Sequence, residues 1–298
     1  MYHITLEEGD IMDQEAWKMI TVEDITQGLQ ALGLQRSSTV VVHTSLRSFG
    51  PIEGGAEAVC QALLATCGTL LLPAGTWDVT GGPAPPGLIR PHNAADSAET
   101  WQEFDAALSD AEPYADDLPI DRELGMLPEI MRRTVSHLRT RHPLLSYIAI
   151  GPHASQLIGG QFFAHPLGPF EVLEQLGGDV LLLGVDHTVN TAIHLAEQRL
   201  GRSCFYRYAK LADQIWMELP NIPGQSHRFD DIEPELRAVT REVMIGSCRA
   251  RLIPVREVLA TADRLIRANP AALLCDQRDC RCYDALQQRL EIIAENGE

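Results

Sequence analysis

Apolar residues along this chain collect into short blocks divided by polar turns. Thr39-Val-Val-Val42 is a β-branched run that reads as a buried strand. It stops at a polar loop, His43-Thr-Ser-Leu-Arg-Ser-Phe-Gly50. Gly54-Gly55 then opens an amphipathic helix to about residue 65, and Gly68-Thr-Leu-Leu-Leu-Pro73 is a second buried strand. Strand, helix and strand with short joints predict a parallel β-α-β unit. The pattern predicts further strands over 145–151 and 180–184, and helices over 22–32, 125–133, 191–200 and 233–244. Thr21 is placed to cap the helix over 22–32. Gly201 stands where the helix over 191–200 should stop.

Residues 78–123 break this rhythm. They are rich in Pro, Gly, Ala, Asp and Glu, and predict an irregular insertion bordering the ligand cleft. A loose surface loop is the other reading. The expected fold is α/β, with a mixed or largely parallel central sheet flanked by helices. A single domain is expected over 1–298, with 202–298 extending it. No internal repeat or low-complexity tract interrupts the chain.

The stretch over 180–197 carries the most chemistry. An apolar run ends at Gly184, a polar turn follows, and a helix then brings His194 and Glu197 three residues apart. Asn190, His194 and Glu197 fall on one helical face. A histidine titrates near neutrality and is suited to general base work. A carboxylate beside it can fix its tautomer, or can face a substrate instead. The spacing alone fits equally a surface His and Glu with no catalytic part. The loop His43–Gly50 follows a buried strand, the place where open α/β sheets bind ligands. Its amides and the hydroxyls of Thr44, Ser45 and Ser48 could hold an anionic group. No Walker lysine, Gly-x-Gly-x-x-Gly or Gly-x-Ser-x-Gly motif is present. Arg132, Arg133, Arg139, Arg141 and His142 form a basic island that suits a polyanion, or a solvated face. Cys275, Cys280 and Cys282 are close enough in sequence to hold zinc, but the spacing matches no standard knuckle and no fourth ligand is evident.

Composition narrows the partners. The chain has 298 residues, 45% hydrophobic and 22% charged, with a formal charge of −17. Such acidity argues against nucleic acid or an anionic membrane and favours cationic ligands. Residues 1–17 are acidic without the apolar core of a signal peptide, and no apolar run approaches a membrane span. Seven cysteines in so long a chain do not suit a secreted disulfide framework. A soluble, cytoplasmic protein is expected.

Five blocks in order then resemble the aminoglycoside 3-N-acetyltransferases. They are Val41-Val-His-Thr-Ser-Leu-Arg-Ser-Phe-Gly50 with Gly54-Gly55, and Gly68-Thr-Leu-Leu-Leu-Pro73. Next come Arg139-Thr-Arg-His-Pro143 with Ser146 and Gly151, and residues 166–173. The last is Leu181-Leu-Leu-Gly-Val185 with Asn190-Thr191 and His194-Leu-Ala-Glu197. The resemblance implies acetyl transfer from acetyl-coenzyme A to the 3-amino group of the 2-deoxystreptamine ring of an aminoglycoside, by direct transfer in a ternary complex. It implies the family's own α/β architecture and no metal in the reaction. It places His194 as general base and Glu197 as its acidic partner or an amine contact. His43, Thr44, Ser45, Leu46, Arg47 and Ser48 would line the cofactor channel. Asp78, His165, Asp186 and Asn190 would contact the substrate. Two departures bear on specificity. Thr188-Val189 separate Asp186-His187 from Asn190, and Leu-Gly-Pro-Phe follows Pro166. A homodimer is left open. Other readings are an acyltransferase for a different biosynthetic amine, a metallohydrolase using His43, His142, His165 and His194, and a module that sequesters cationic drugs.

Overall fold

The computed structural model describes residues 19–88 and 97–297. The acidic stretch over 1–17 and part of the predicted insertion lie outside the described residues. Ten strands occur among the described residues: β1 Thr39–Thr44, β2 Thr69–Pro73, β3 Gly81–Gly82, β4 Leu138–Arg139, β5 Tyr147–Ile150, β6 Asp179–Leu183, β7 Phe205–Ala212, β8 Ile215–Ile222, β9 Arg241–Ile245 and β10 Cys248–Pro254. Seven form a mixed sheet in the order β4-β5-β2-β1-β6-β10-β9, and three form a smaller sheet, β3-β7-β8.

The centre of the large sheet is parallel: β1 pairs with β2 on one side and β6 on the other. Each strand added outside this trio is antiparallel. Side chains alternate between two apolar layers. Val40, Val42, Leu70, Leu72, Leu181 and Leu183 pack with Ile25, Leu29, Leu63 and Leu127. Val41, Leu71, Val180 and Leu182 pack with Phe170, Leu173, Ile193 and Val258 on the opposite face. Helices on both faces explain why these strands read as unbroken apolar runs. Helices Val22–Ala31, Gly55–Thr66 and Met126–Thr134 supply the first layer. Helices Gly168–Gln175, Ala192–Arg199 and Val255–Ala268 supply the second. Thr21 caps its helix as expected. Its hydroxyl accepts from the Asp24 amide at 3.2 Å while its own amide donates to Asp24 Oδ2 at 2.9 Å.

Two expectations are corrected. The helix predicted over 233–244 stops after Glu233–Leu236, and Arg241–Ile245 is the edge strand β9. Pairing along β10 from Cys248 to Leu252 fixes these residues, and tertiary pairing overrides helical spacing. The insertion is not wholly irregular either. It contains helices Trp77–Thr80 and Trp101–Asp110 and the short strand β3. Thr100 caps the second helix, which buries none of its residues, so no apolar stripe announces it. The β7–β8 hairpin and the helices Val255–Ala268 and Arg281–Asn296 are further elements that the pattern did not predict. Among the described residues, no helix is long and apolar enough to cross a membrane.

Gly184 ends β6 with φ +66°, and a Cβ there would lie 1.7 Å from the Ser48 hydroxyl oxygen. The absent side chain lets the turn after β1 close against the end of β6. Gly184→Ala combines a disfavoured φ with that overlap. It is expected to cost roughly 2–3 kcal/mol, read as a lowered urea midpoint at unchanged m-value.

Candidate active site

A cleft of 680 Å³ opens at the carboxyl ends of β1 and β6. One wall is the turn that follows β1, with His43, Thr44, Ser45, Leu46 and Arg47. Facing residues come from the end of the insertion and the start of the next helix: Arg122, Glu123, Leu124, Gly125, Met126 and Pro128. Thr188, Asn190, Thr191 and His194 arrive from the turn and helix after β6. Parallel strands deliver both loops to the same end of the sheet, as the open-sheet rule requires.

His194 lies in the first turn of Ala192–Arg199 and lines the cleft. Its Nδ1 pairs with Glu197 Oε2 at 2.7 Å, which leaves Nε2 as the nitrogen available to a ligand. The imidazole also packs on Phe229, with ring centroids 4.6 Å apart. Glu197 has no exposed side-chain surface, and its other oxygen meets Arg202 Nη2 at 3.1 Å in an ion pair. Arg202 is equally buried. Its guanidinium donates to the carbonyls of Pro270 at 2.6 Å and Ala272 at 2.7 Å. Glu197 therefore cannot touch a ligand in the cleft. It can orient His194 and stabilise an imidazolium.

The turn after β1 gives surface more than free amides. The Ser45 amide donates to Leu183, and the Ser48 amide and hydroxyl both bond the Ser45 carbonyl. Arg47 is exposed on the wall, and the Thr44 hydroxyl is buried without a protein partner. His43 is buried with no partner for Nε2, and burial pushes its imidazole down to about 4. His187 is pushed to about 4 by burial and by the nearby Arg251 charge. Both rings are neutral at physiological pH.

The remaining predicted site residues divide. Asn190 reaches the cleft, but its Nδ2 bonds His187 Nδ1 at 3.1 Å and it lies before the helix that carries His194. Asp186 is exposed on an adjoining concavity of 570 Å³, and one of its oxygens accepts from the Thr188 amide and hydroxyl. Ser48 also faces that concavity. Asp78 is exposed and does not line the cleft. Its amide donates to Asp121, a buried carboxyl that burial and the Asp78 charge raise to about 7. His165 pairs with Glu171 at 3.1 Å, away from the cleft-lining residues. The carboxylate among the described lining residues is that of Glu123, which the sequence reading did not single out.

The basic island is largely a clamp. Arg132 and Arg133 both bind Glu129, whose carboxyl Arg132 holds down at about 2. Glu129 also accepts the Ile120 amide at 3.0 Å. Arg139 donates to the carbonyls of Asp116, Leu118 and Ala74. These bonds fasten residues 116–120 to the sheet edge. Of the island, Arg141 and Arg133 keep exposed side chains. His43, His142, His165 and His194 do not converge on a metal site. Among the described residues, the group that could hold a metal is His227, Cys275, Cys280 and Cys282.

Comparisons with known proteins show the family and the fold. A family model described as aminoglycoside 3-N-acetyltransferase matches residues 41–267. Aminoglycoside N(3)-acetyltransferase IX of Micromonospora chalcea is 31% identical over 244 residues, covering 76% of this chain and 82% of that protein. The SPbeta prophage-derived aminoglycoside N(3')-acetyltransferase-like protein YokD of Bacillus subtilis (strain 168) is 28% identical over 265 residues, covering 82% and 91%. The crystal structure of aminoglycoside acetyltransferase AAC(3)-IVa, an apoenzyme, superposes with a TM-score of 0.73 at 25% identity, covering 92% of this chain and 99% of that one.

Arg202→Met removes the guanidinium from the fully buried Glu197 carboxylate and leaves it only the hydrogen bond to His194. Stability should fall by about 3–5 kcal/mol in urea unfolding, the cost of breaking a buried pair. His43 gives a pH test. Unfolded histidine titrates near 6.5 and folded His43 near 4. Between these values only the unfolded chain takes up the proton, so stability falls as pH drops through the window. Wild type should lose about 1–2 kcal/mol more than His43→Gln between pH 7 and pH 5, measured by denaturation midpoints.

Proposed function

This chain belongs to the aminoglycoside 3-N-acetyltransferase family, and on that premise we propose that it acetylates the 3-amino group of a 2-deoxystreptamine aminoglycoside from acetyl-coenzyme A. The observation that carries the reading is His194. It lines the cleft, and its Nδ1 is held at 2.7 Å by a carboxylate with no exposed surface, so that Nε2 is the nitrogen left for the substrate.

A protonated amine is no nucleophile, so the amine first loses one proton to solvent, and a base must take a second as the C–N bond forms. In the proposed step the amine nitrogen attacks the thioester carbonyl and gives its proton to His194 Nε2. The tetrahedral centre collapses, the C–S bond breaks, and the thiolate takes the proton back from the imidazolium. The amide and free coenzyme A leave. Glu197 keeps Nδ1 protonated and steadies the transient imidazolium. No cysteine lines the cleft among the described residues, which favours direct transfer over an acyl-enzyme.

The two substrates have opposite charge. Arg47 and Arg122 are exposed cations on the cleft walls and suit the anionic phosphates of the donor. Glu123 suits a cationic amine of the acceptor. The net charge of −17 adds long-range attraction for a polycation, weakened by salt. An acetyl-coenzyme A donor supports a cytoplasmic reaction.

His194→Ala tests the base. With acetyl-coenzyme A and gentamicin-like or neomycin-like acceptors, thiol release should fall roughly 10²- to 10⁴-fold while circular dichroism is unchanged. Near-normal turnover would overturn the role of His194. A burst of free thiol without acceptor would overturn direct transfer. Turnover confined to amines lacking a 2-deoxystreptamine ring would overturn the proposed substrate.

A further inference from the structure

We propose that His227, Cys275, Cys280 and Cys282 hold a structural zinc ion that fastens the C-terminal helix to the body of the enzyme. One ligand atom from each side chain can be chosen so that all four lie within 4.8 Å of one another. Cys282 Sγ and His227 Nε2 are 3.9 Å apart. A tetrahedral site with ordinary zinc bond lengths sets sulfur–sulfur distances near about 3.8 Å and sulfur–nitrogen distances near about 3.6 Å. A small contraction around an ion would close the cluster.

The donor set selects the metal. Three thiolates and one imidazole form a soft, four-ligand set suited to zinc and poorly suited to magnesium or calcium. Four protein ligands leave no position for substrate or water, so the ion has a structural part. None of the four residues lines the cleft. The site is thus separate from the proposed acetyl transfer, which uses no metal. A disulfide would occupy two of the thiols and leave unexplained the third and the imidazole beside them.

The location gives the ion something to do. Cys280 occupies the N-cap position of the helix Arg281–Asn296 and Cys282 lies in its first turn. That helix of 16 residues buries only Cys282, Ala285 and Arg289, a weak apolar hold. It is also tied by polar bonds: Gln288 exchanges two bonds of 3.1 Å with the Cys204 backbone, and Arg289 donates to the Leu200 carbonyl. His227 comes from the distant loop after β8, next to the cleft residue Ser226. The ion would therefore join that loop to the helix packed on residues 200–204, the segment that carries Arg202. Binding releases the three thiol protons to solvent and involves no oxidation.

Elemental analysis of purified protein after dialysis against metal-free buffer should give about one zinc per chain. Cobalt(II) exchanged into the same protein should give the visible bands of a tetrahedral site and thiolate charge-transfer absorption. Cys280→Ser and His227→Gln should each lower the bound metal and weaken these bands. Because either variant could misfold, wild type is also titrated with a thiol reagent, and zinc release should track the modification of these three cysteines. Substoichiometric zinc, absence of cobalt–thiolate bands in wild type, or full zinc retention by a Cys280→Ser, His227→Gln double variant would each overturn the site. These readouts do not depend on acetyl transfer, so they stand or fall apart from the catalytic proposal.

Discussion

A carboxylate without exposed surface must be neutralised from within, and Glu197 is such a group. Its two oxygens face His194 and Arg202, and Arg202 is itself fully buried. Charges removed from water are tolerated only with partners and hydrogen bonds in place. Arg202 meets part of that demand through two backbone carbonyls at Pro270 and Ala272, while its Nε is buried without a partner. The orientation of the cleft histidine thus reaches back through a carboxylate and a guanidinium to a loop far along the chain. The local step from His194 to Glu197 is short in sequence, but the arrangement that holds it is global.

The cleft separates charge by burial. His43 on the cleft wall is kept neutral by burial, and His187 behind it by burial and the Arg251 charge. Charge is instead presented at the rim, by Arg47, Arg122 and Glu123. An anionic donor and a cationic acceptor can then be sorted at the walls, while the Glu197–Arg202 pair lies buried behind His194. The arginines over 132–139 work differently. They fasten the insertion to the sheet edge, so the rim residues Arg122 and Glu123 hold a defined place across from Arg47.

The parallel core was legible because both faces of β1, β2 and β6 are covered, which leaves a run of Val and Leu with no polar interruption. The His194–Glu197 pair was legible because helical spacing of three puts the side chains together. Long-range pairing was not legible. Arg241–Ile245 looks helical until β10 offers its edge, and the β7–β8 hairpin has register shifts that blur its alternation. Helical spacing also grouped Asn190 with His194, but the helix begins after Asn190, which turns to His187. Arg202 and Glu123 escaped notice because nothing local marks a buried ion-pair partner or a rim carboxylate. His227 escaped because its three cysteine neighbours lie far downstream and only folding brings them near.

The strand order has a consequence for synthesis on the ribosome. The three parallel strands are complete once residue 183 has emerged, but the outer edge of β6 is covered by β10, whose last residue is Pro254. At about 5–20 residues per second, this leaves a nascent chain with an apolar strand edge open for several seconds. The carbonyls that receive Arg202 emerge later still. A polypeptide stopped in that interval carries the His194 helix without the strand that seals its sheet. It would present a row of unpaired backbone groups to any neighbouring chain.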